Sequence, residues 1–100
     1  DSILRYVRAM QNTIGSNVET LYHILDSQAE ALEFVVHDIS PVVGVPLADL
    51  NLKKNLLVCS LVRDGKIRIP RGQDTIQVGD HVIIVTTHKG LRDISDILEK

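Results

Sequence analysis

The chain has 100 residues, which is enough for one small domain and too few for two typical ones. Its composition, 44% hydrophobic and 24% charged, is that of a globular domain, and its apolar runs are far shorter than the roughly 20 residues of a membrane-spanning helix. A net charge of −2 and an aromatic content of 3% argue against nucleic acid as a partner, because such binding needs basic surfaces and base stacking.

The single cysteine and the first residues bear on where the protein works. Cys59 lies inside an apolar run, which is typical of a small core residue rather than a nucleophile. With no second cysteine in the chain, an intrachain disulfide is excluded, and a reducing cytoplasm fits. The sequence starts at Asp1 without a methionine or a signal-like segment, so we expect a piece of a longer protein.

The N-terminal part contains one predicted helix and one ambiguous segment. Apolar residues recur at three- and four-residue spacing: Ile3, Val7, Met10 and Ile14. This predicts an amphipathic helix over residues 2–13, ended by Gly15. Residues 17–25 fit either a helix with a capping box or an alternating strand. We favour the strand, forming a hairpin with a second extended run at residues 31–37.

A loop and a short helix are predicted next. Pro41 and Gly44 interrupt regular structure over residues 38–44. Pro46 suits the first turn of a helix of one or two turns. The apolar stripe of that helix is formed by Leu47, Leu50 and Leu52.

The most informative part of the sequence, residues 56–87, predicts three strands. An apolar run at 57–62 is followed by Asp64-Gly65, a dipeptide favoured in two-residue hairpin turns, and by an alternating strand at 66–69. A second turn at 78–80 leads into a buried strand over residues 81–87.

Beyond Gly90, a helical face formed by Leu91, Ile94, Ile97 and Leu98 predicts a C-terminal helix over residues 91–100. The sequence therefore predicts an α+β fold: a small, mostly antiparallel or mixed β-sheet with a short helix after the second strand and a C-terminal helix. We divide the chain into an N-terminal linker helix, residues 1–15, and a domain, residues 16–100.

Two groups of basic residues are candidates for anion binding. Lys66, Arg68 and Arg71 lie close together, but charges on an edge strand are also a common protection against aggregation, and we favour that interpretation. Lys53 and Lys54 follow the short helix, where cations are favoured by the helix dipole without any ligand. We favour this solvated cap over a ligand site on residue pattern alone.

No catalytic residue and no metal site is predicted. The histidines His23, His37, His81 and His88 are too widely spaced for a metal-binding motif. The acidic group of Asp26, Glu30 and Glu33 lacks the pattern of a calcium loop. Ser40 and Ser60 lack a nucleophile elbow, and the six glycines stand alone rather than in a phosphate-binding loop. We therefore expect no enzymatic activity.

Four segments occur in a distinctive order: AEALEF at 29–34, SPVVGVPL at 40–47, VRDGKIRIP at 62–70 and VGDHVIIV at 78–85. Together they resemble the C-terminal domain of bacterial Trk potassium-uptake regulatory subunits, the C-terminal half of a regulator-of-potassium-conductance (RCK) domain. The resemblance covers roughly residues 17–98. Its most specific feature is the succession of Ser-Pro, Asp-Gly and Gly-Asp turns.

The resemblance implies a regulatory domain without catalysis. Such domains form homodimers in the cytoplasm, at the inner face of the cell membrane, and act on a membrane potassium transporter subunit. In these proteins a preceding half binds NAD or ATP, and this chain lacks the Gly-x-Gly-x-x-Gly segment of that half, so no cofactor is expected here.

Some relatives bind cyclic di-AMP between two C-terminal domains, and others bind divalent cations. By position, the resemblance implies a site for cyclic di-AMP or another small anionic nucleotide formed by Val42, Val43, Asn51, Lys53, Lys54 and Pro70.

Two functions follow as hypotheses. The first is a ligand-sensing dimer that couples ligand binding to gating of a transport partner, with the helix over residues 3–14 either transmitting movement or simply packing on the sheet. The alternative is a ligand-free structural dimerisation module of a cation transporter or antiporter regulator, with an apolar interface at Val42, Val43 and Leu47.

Overall fold

The computed structural model describes residues 29–100. In chain order the strands are β1 (Glu30–Val35), β2 (Leu56–Arg63), β3 (Lys66–Arg68) and β4 (His81–Thr86). Two short 3-10 helices lie outside the sheet, at Leu47–Asp49 and Ile94–Ile97. Within residues 29–100, no helix is long and apolar enough to span a bilayer.

The four strands form one antiparallel sheet in the order β1-β4-β2-β3. β4 lies between β1 and β2, and five of its six residues, from Val82 to Thr86, are buried, as expected for a strand covered on both faces. The predicted buried strand at 81–87 is therefore confirmed. The sheet is wholly antiparallel across the described strands, and the mixed alternative does not occur there.

The hairpin predicted from Asp64-Gly65 is confirmed. β2 and β3 pair from Leu61 with Arg68 to Arg63 with Lys66, which leaves a two-residue loop. Asp64 has φ 54° and Gly65 has φ 75°, the positive values that a type I′ turn requires at both central positions. The turn chemistry thus fixes the register of the edge strand.

The two faces of the sheet have different surroundings. One face presents Leu61, Val82 and Ile84 to a layer of loops, from which Val42 and Ile97 insert into the same core cluster. We call this covering layer, residues 42–52, 75–76 and 91–98, the loop layer. The opposite face carries a smaller buried cluster, made of Ala31, Cys59, Ile83 and Val85.

A β-bulge interrupts the pairing of β2 with β4. Val58 pairs with Ile84 and Ser60 pairs with Ile83, so Cys59 is the extra residue on β2. Cys59 packs with Ile83 in the cluster on the opposite face. The prediction that Cys59 is a core residue is confirmed, since it is 2% exposed.

The predicted short helix is a single 3-10 turn. It covers only Leu47–Asp49, with Pro46 at its N-cap and Leu50 already extended at φ −81° and ψ 135°. Leu52 then forms an isolated antiparallel bridge with Leu98. The leucine spacing failed as a helix signal because Leu50 and Leu52 pack on the core from an extended segment.

The predicted C-terminal helix over residues 91–100 is wrong. Only Ile94–Ile97 is helical, as a 3-10 turn closed by a capping box between Asp93 and Asp96. Both isoleucines are buried, and three-residue spacing places them on one face of a 3-10 turn. Leu98 is extended at φ −80° and ψ 141° because it pairs with Leu52. No α-helix occurs in residues 29–100, so the α+β assignment is not confirmed there.

Several predictions concern residues outside the described part of the chain: the amphipathic helix over residues 2–13, the strand at residues 17–25 and the domain boundary at residue 15. The extended run predicted at residues 31–37 corresponds to β1, which pairs with β4.

Candidate functional site

The residues predicted to bind a ligand lie in or beside the loop layer, in different environments. Val42 is fully buried in the core cluster, so its side chain contributes packing and only its backbone can meet a ligand. Val43 and Pro70 are half-buried. Asn51 and Lys54 are exposed, and Lys53 between them is half-buried.

Segment 42–48 is anchored on segment 72–76. Val43 forms a parallel bridge with Ile76, and the N–H of Gly44 donates to the carbonyl of Ile76 at 2.9 Å. Further along, the N–H of Ala48 donates to the carbonyl of Gly72 at 2.8 Å. A Cβ at Gly72 would lie 3.1 Å from the Cβ of Ala48, so the close approach favours glycine. These contacts hold Val43 in place beside the chain that follows Pro70.

Lys53 is held by the end of the chain. Its ammonium donates to the carbonyls of Asp96 and Leu98, the latter at 2.9 Å, and its backbone N–H donates to the carbonyl of Ile97 at 2.8 Å. A cation is favoured at a helix C-terminus, where carbonyls lack partners. Lys53 therefore does cap a helix, but it caps the C-terminal 3-10 turn rather than the short helix that precedes it.

Lys54 has an exposed side chain and a backbone that is tied to the following segment. Its carbonyl accepts a hydrogen bond from Nε2 of His88 at 2.7 Å. The next residue, Asn55, has φ 57° and accepts from the N–H of Thr87 at 3.2 Å. The exposed Lys54 ammonium is thus presented from a fixed turn.

The basic group on the edge hairpin is solvated. Lys66 and Arg71 are exposed, and Arg68 lies 3.3 Å from a carboxylate oxygen of Asp74. Asp74 also accepts from the N–H of Arg71 at 2.7 Å. This backbone hydrogen bond and the nearby arginines lower the pKa of Asp74, against a smaller opposing effect of burial. The arrangement agrees with charges that protect an edge strand.

Sequence analysis missed an ion pair between the buried Asp80 and the half-buried Arg63, beside the turn at 78–80. Nε and Nη2 of Arg63 donate to the two carboxylate oxygens of Asp80, each at 2.8 Å, and Nη2 also donates to the carbonyl of Thr75. Asp80 accepts in addition from the N–H of Gln77 at 2.9 Å. Burial acts to raise the pKa of Asp80, but these hydrogen bonds and the charge of Arg63 outweigh it and lower the pKa.

Within residues 29–100, the candidates for metal binding or catalysis do not converge. Nδ1 of His81 lies 2.6 Å from Oε2 of Glu33, and Glu30 pairs with Lys89 at 2.9 Å. Among residues 29–100, no three metal-ligating side chains are grouped together. Burial raises the pKa of Cys59 to about 12, which keeps the thiol protonated at neutral pH.

Ser60 lies in the bulged strand with a buried hydroxyl that finds no hydrogen-bond partner among the described residues. Ser60→Ala removes a buried hydroxyl without removing a hydrogen bond. We therefore expect the free energy of unfolding, measured by urea denaturation, to rise by about 1 kcal/mol. Thr86→Val is the matched control, because the Thr86 hydroxyl donates to Asn55 and accepts from His88, and it should destabilise. A loss of stability in Ser60→Ala would contradict the assignment.

Comparison with known proteins decides the family. The model of the TrkA-C domain family matches residues 31–99. The chain belongs to the TrkA-C domain family. This TrkA-C domain is 32% identical over 87 residues to Trk system potassium uptake protein TrkA homolog 2 of Methanosarcina mazei, covering 87% of this chain and 19% of that protein.

A second relative, Trk system potassium uptake protein TrkA homolog of Pyrococcus abyssi, is 34% identical over 73 residues, 72% of this chain and 32% of that protein. The TrkA-C domain thus spans only a small part of these relatives. A solved structure described as an RCK domain with cda has a TM-score of 0.51 and 17% identity, covering 59% of this chain and 81% of that one. At this identity the likeness supports the fold, which agrees with the resemblance drawn from the turns.

Proposed function

We propose that this TrkA-C domain is the regulatory, ligand-sensing and dimerising part of a Trk-type potassium uptake system, acting on a membrane transport partner from the cytoplasmic side. The match of the family model to residues 31–99 carries the proposal, supported by relatives named Trk system potassium uptake proteins. The chain spans 19% of the Methanosarcina mazei relative, so the transporter and its gating belong to the proposal.

The proposed ligand is a small anion of the cyclic di-AMP type, bound between two copies of the domain. Asn51 and Lys54 offer exposed polar groups, and Val43 and Pro70 offer half-buried apolar surface for a base. A two-fold axis would bring two copies of Lys53 and Lys54 to one ligand, which compensates for the low overall basicity of the chain. An RCK domain of similar fold was solved with cda, which supports ligand binding as a use of this fold.

The proposed domain regulates and does not catalyse. Any NAD or ATP would bind to a preceding half of the full protein, as the resemblance implies. Ligand binding would affect transport by favouring one relative arrangement of the two domains, and couplings of this kind are typically about 1 to 3 kcal/mol.

The site assignment is tested by calorimetric titration of cyclic di-AMP into two lysine variants. Lys54→Ala removes an exposed ammonium from the proposed site, and we expect binding to weaken about tenfold, since a charge-assisted hydrogen bond contributes about 1.5 to 3 kcal/mol. Lys66→Ala is the matched control, an exposed lysine on the edge hairpin, and should bind as the wild type does. Weaker binding by Lys66→Ala, with unchanged binding by Lys54→Ala, would assign the anion to the edge hairpin.

A ligand-free structural dimerisation module is the second candidate. It is favoured by the Lys53 ammonium, which already has two carbonyl partners within the chain. Of the three residues expected to form its dimer interface, Val42 is fully buried in the core of its own domain and cannot contact a partner. Val43 and Leu47 are half-buried and remain candidates for the interface. A dimer by light scattering that gives no heat with cyclic di-AMP would favour this candidate.

A further inference from the structure

Lys53 connects the proposed ligand site to the end of the chain. We define residues 93–99 as the C-terminal strap. The strap accepts three hydrogen bonds from Lys53, one from its backbone N–H and two from its ammonium. It also donates one, from the N–H of Glu99 to the carbonyl of Asn51 at 2.7 Å. Two of the residues assigned to the ligand are therefore fixed by the strap.

The geometry of the ammonium leaves one donor for a ligand. A lysine ammonium has three N–H donors, and the carbonyls of Asp96 and Leu98 take two of them. Because the nitrogen is tetrahedral, the third donor points away from both carbonyls. Lysine is among the side chains that lose most rotamer freedom when ordered, so a lysine held in place beforehand binds an anion at a lower entropic cost.

The strap is also anchored independently of Lys53. Ile94 and Ile97 are buried in the core cluster. The antiparallel bridge between Leu52 and Leu98 is not a separate anchor, because it consists of the two backbone hydrogen bonds from Lys53 and Glu99 named above. Beyond Ile97, the strap is held by the hydrogen bond from the N–H of Glu99 to Asn51 and by the one that the carbonyl of Leu98 accepts from Lys53, and the side chain of Glu99 is exposed. The strap can therefore loosen at this end without opening the core.

We propose that the C-terminal strap positions Lys53 for the anionic ligand and that ligand binding in turn tightens the strap. This inference rests on the proposed function, because it takes Lys53 as a ligand contact. Linkage requires the effect to be reciprocal: whatever the strap adds to ligand affinity, the ligand adds to the stability of the strap. Ligand bound at the loop layer would then change how tightly the C-terminal strap is held.

The experiment compares Glu99→Pro with Glu99→Ala. Proline removes the N–H that bonds to Asn51, and the preceding Leu98, at φ −80° and ψ 141°, already has the conformation favoured before proline. Alanine keeps the N–H and removes the same carboxylate. We expect the affinity for cyclic di-AMP to be at least about fivefold lower in Glu99→Pro than in Glu99→Ala. A change of about fivefold is at the lower end of typical coupling between two sites.

A second readout needs no substitution. In the wild-type domain, amide hydrogen exchange at Lys53 and Glu99 should slow when cyclic di-AMP is added. The N–H of Lys53 donates to the strap and the N–H of Glu99 donates from the strap to Asn51, so both amides report how tightly the strap is held. The strap inference is overturned if cyclic di-AMP binds the wild type but exchange is unchanged or faster and the two Glu99 variants bind with equal affinity. That result leaves the proposed function standing. An absence of binding to the wild type overturns both.

Discussion

Asp80→Ala is expected to lower the free energy of unfolding by about 3 kcal/mol, because it leaves a half-buried guanidinium without its carboxylate partner. The carboxylate is buried and accepts from Arg63 twice and from the N–H of Gln77. The substitution thus orphans three donors at once. Urea denaturation monitored by circular dichroism measures the change as a shift of the midpoint.

The matched control is the exposed pair between Glu30 and Lys89, 2.9 Å apart with side chains 42% and 62% exposed. Glu30→Ala should cost less than about 1 kcal/mol, because solvent screens such pairs. Equal effects of Asp80→Ala and Glu30→Ala would show that burial of the Asp80 carboxylate gives its pair with Arg63 no special role.

The same ion pair predicts a pH dependence. Because the pKa of Asp80 is lower in the folded state, ionisation of this carboxylate stabilises the fold above its unfolded pKa of about 4. That contribution is lost as the pH falls through the folded pKa. Hence the stability difference between the wild type and Asp80→Asn should be full near pH 6 and should shrink as the pH falls below about 4.

Ile97→Ala is expected to lower the free energy of unfolding by about 3 kcal/mol, within the usual range for isoleucine truncation in a core. Ile97 is fully buried in the core cluster beneath the loop layer. It is one of the two isoleucines through which the 3-10 turn at Ile94–Ile97 packs on the core.

Ile67→Ala is the matched control, since it removes the same side chain from the edge strand, where Ile67 is 60% exposed. Its cost should be below about 1 kcal/mol, mainly from lost β propensity. A small effect of Ile97→Ala would mean that the C-terminal strap does not pack on the core as described.

The strands could be predicted because their signals are local. Asp64-Gly65 specifies a hairpin by the positive φ of both residues, and the apolar run at 81–87 specifies a strand buried on both faces. These features depend on neighbouring residues and on the period of the pattern, which a sequence displays directly. The resemblance to Trk regulatory subunits rested on the same turns.

The two helices predicted within residues 29–100 were mispredicted because tertiary contacts override a helical period. Leu50, Leu52 and Leu98 have helix-like spacing with their neighbours, yet each is extended and packs on the core, with Leu52 and Leu98 paired across 46 positions of sequence. An apolar residue at every third or fourth position is equally satisfied by a 3-10 turn followed by an extended segment. Only the partner segment distinguishes the two.

The candidate site was predictable in part. The position of Lys53 and Lys54 at a candidate site followed from the resemblance, but the attachment of Lys53 to the chain end did not, because it joins residues 43 and 45 positions apart. The pair of Arg63 with Asp80 escaped for the same reason, at a separation of 17. A charged residue at the end of an apolar strand was the one available hint.

The ligand-sensing dimer is tested by the stoichiometry of cyclic di-AMP binding, measured by calorimetric titration of the wild-type domain. A ligand shared between two symmetric copies predicts one molecule bound per two chains, with heats that are lost at high salt as the lysine contacts are screened. Binding of one molecule per chain, or no binding at millimolar ligand, would contradict a ligand-sensing dimer.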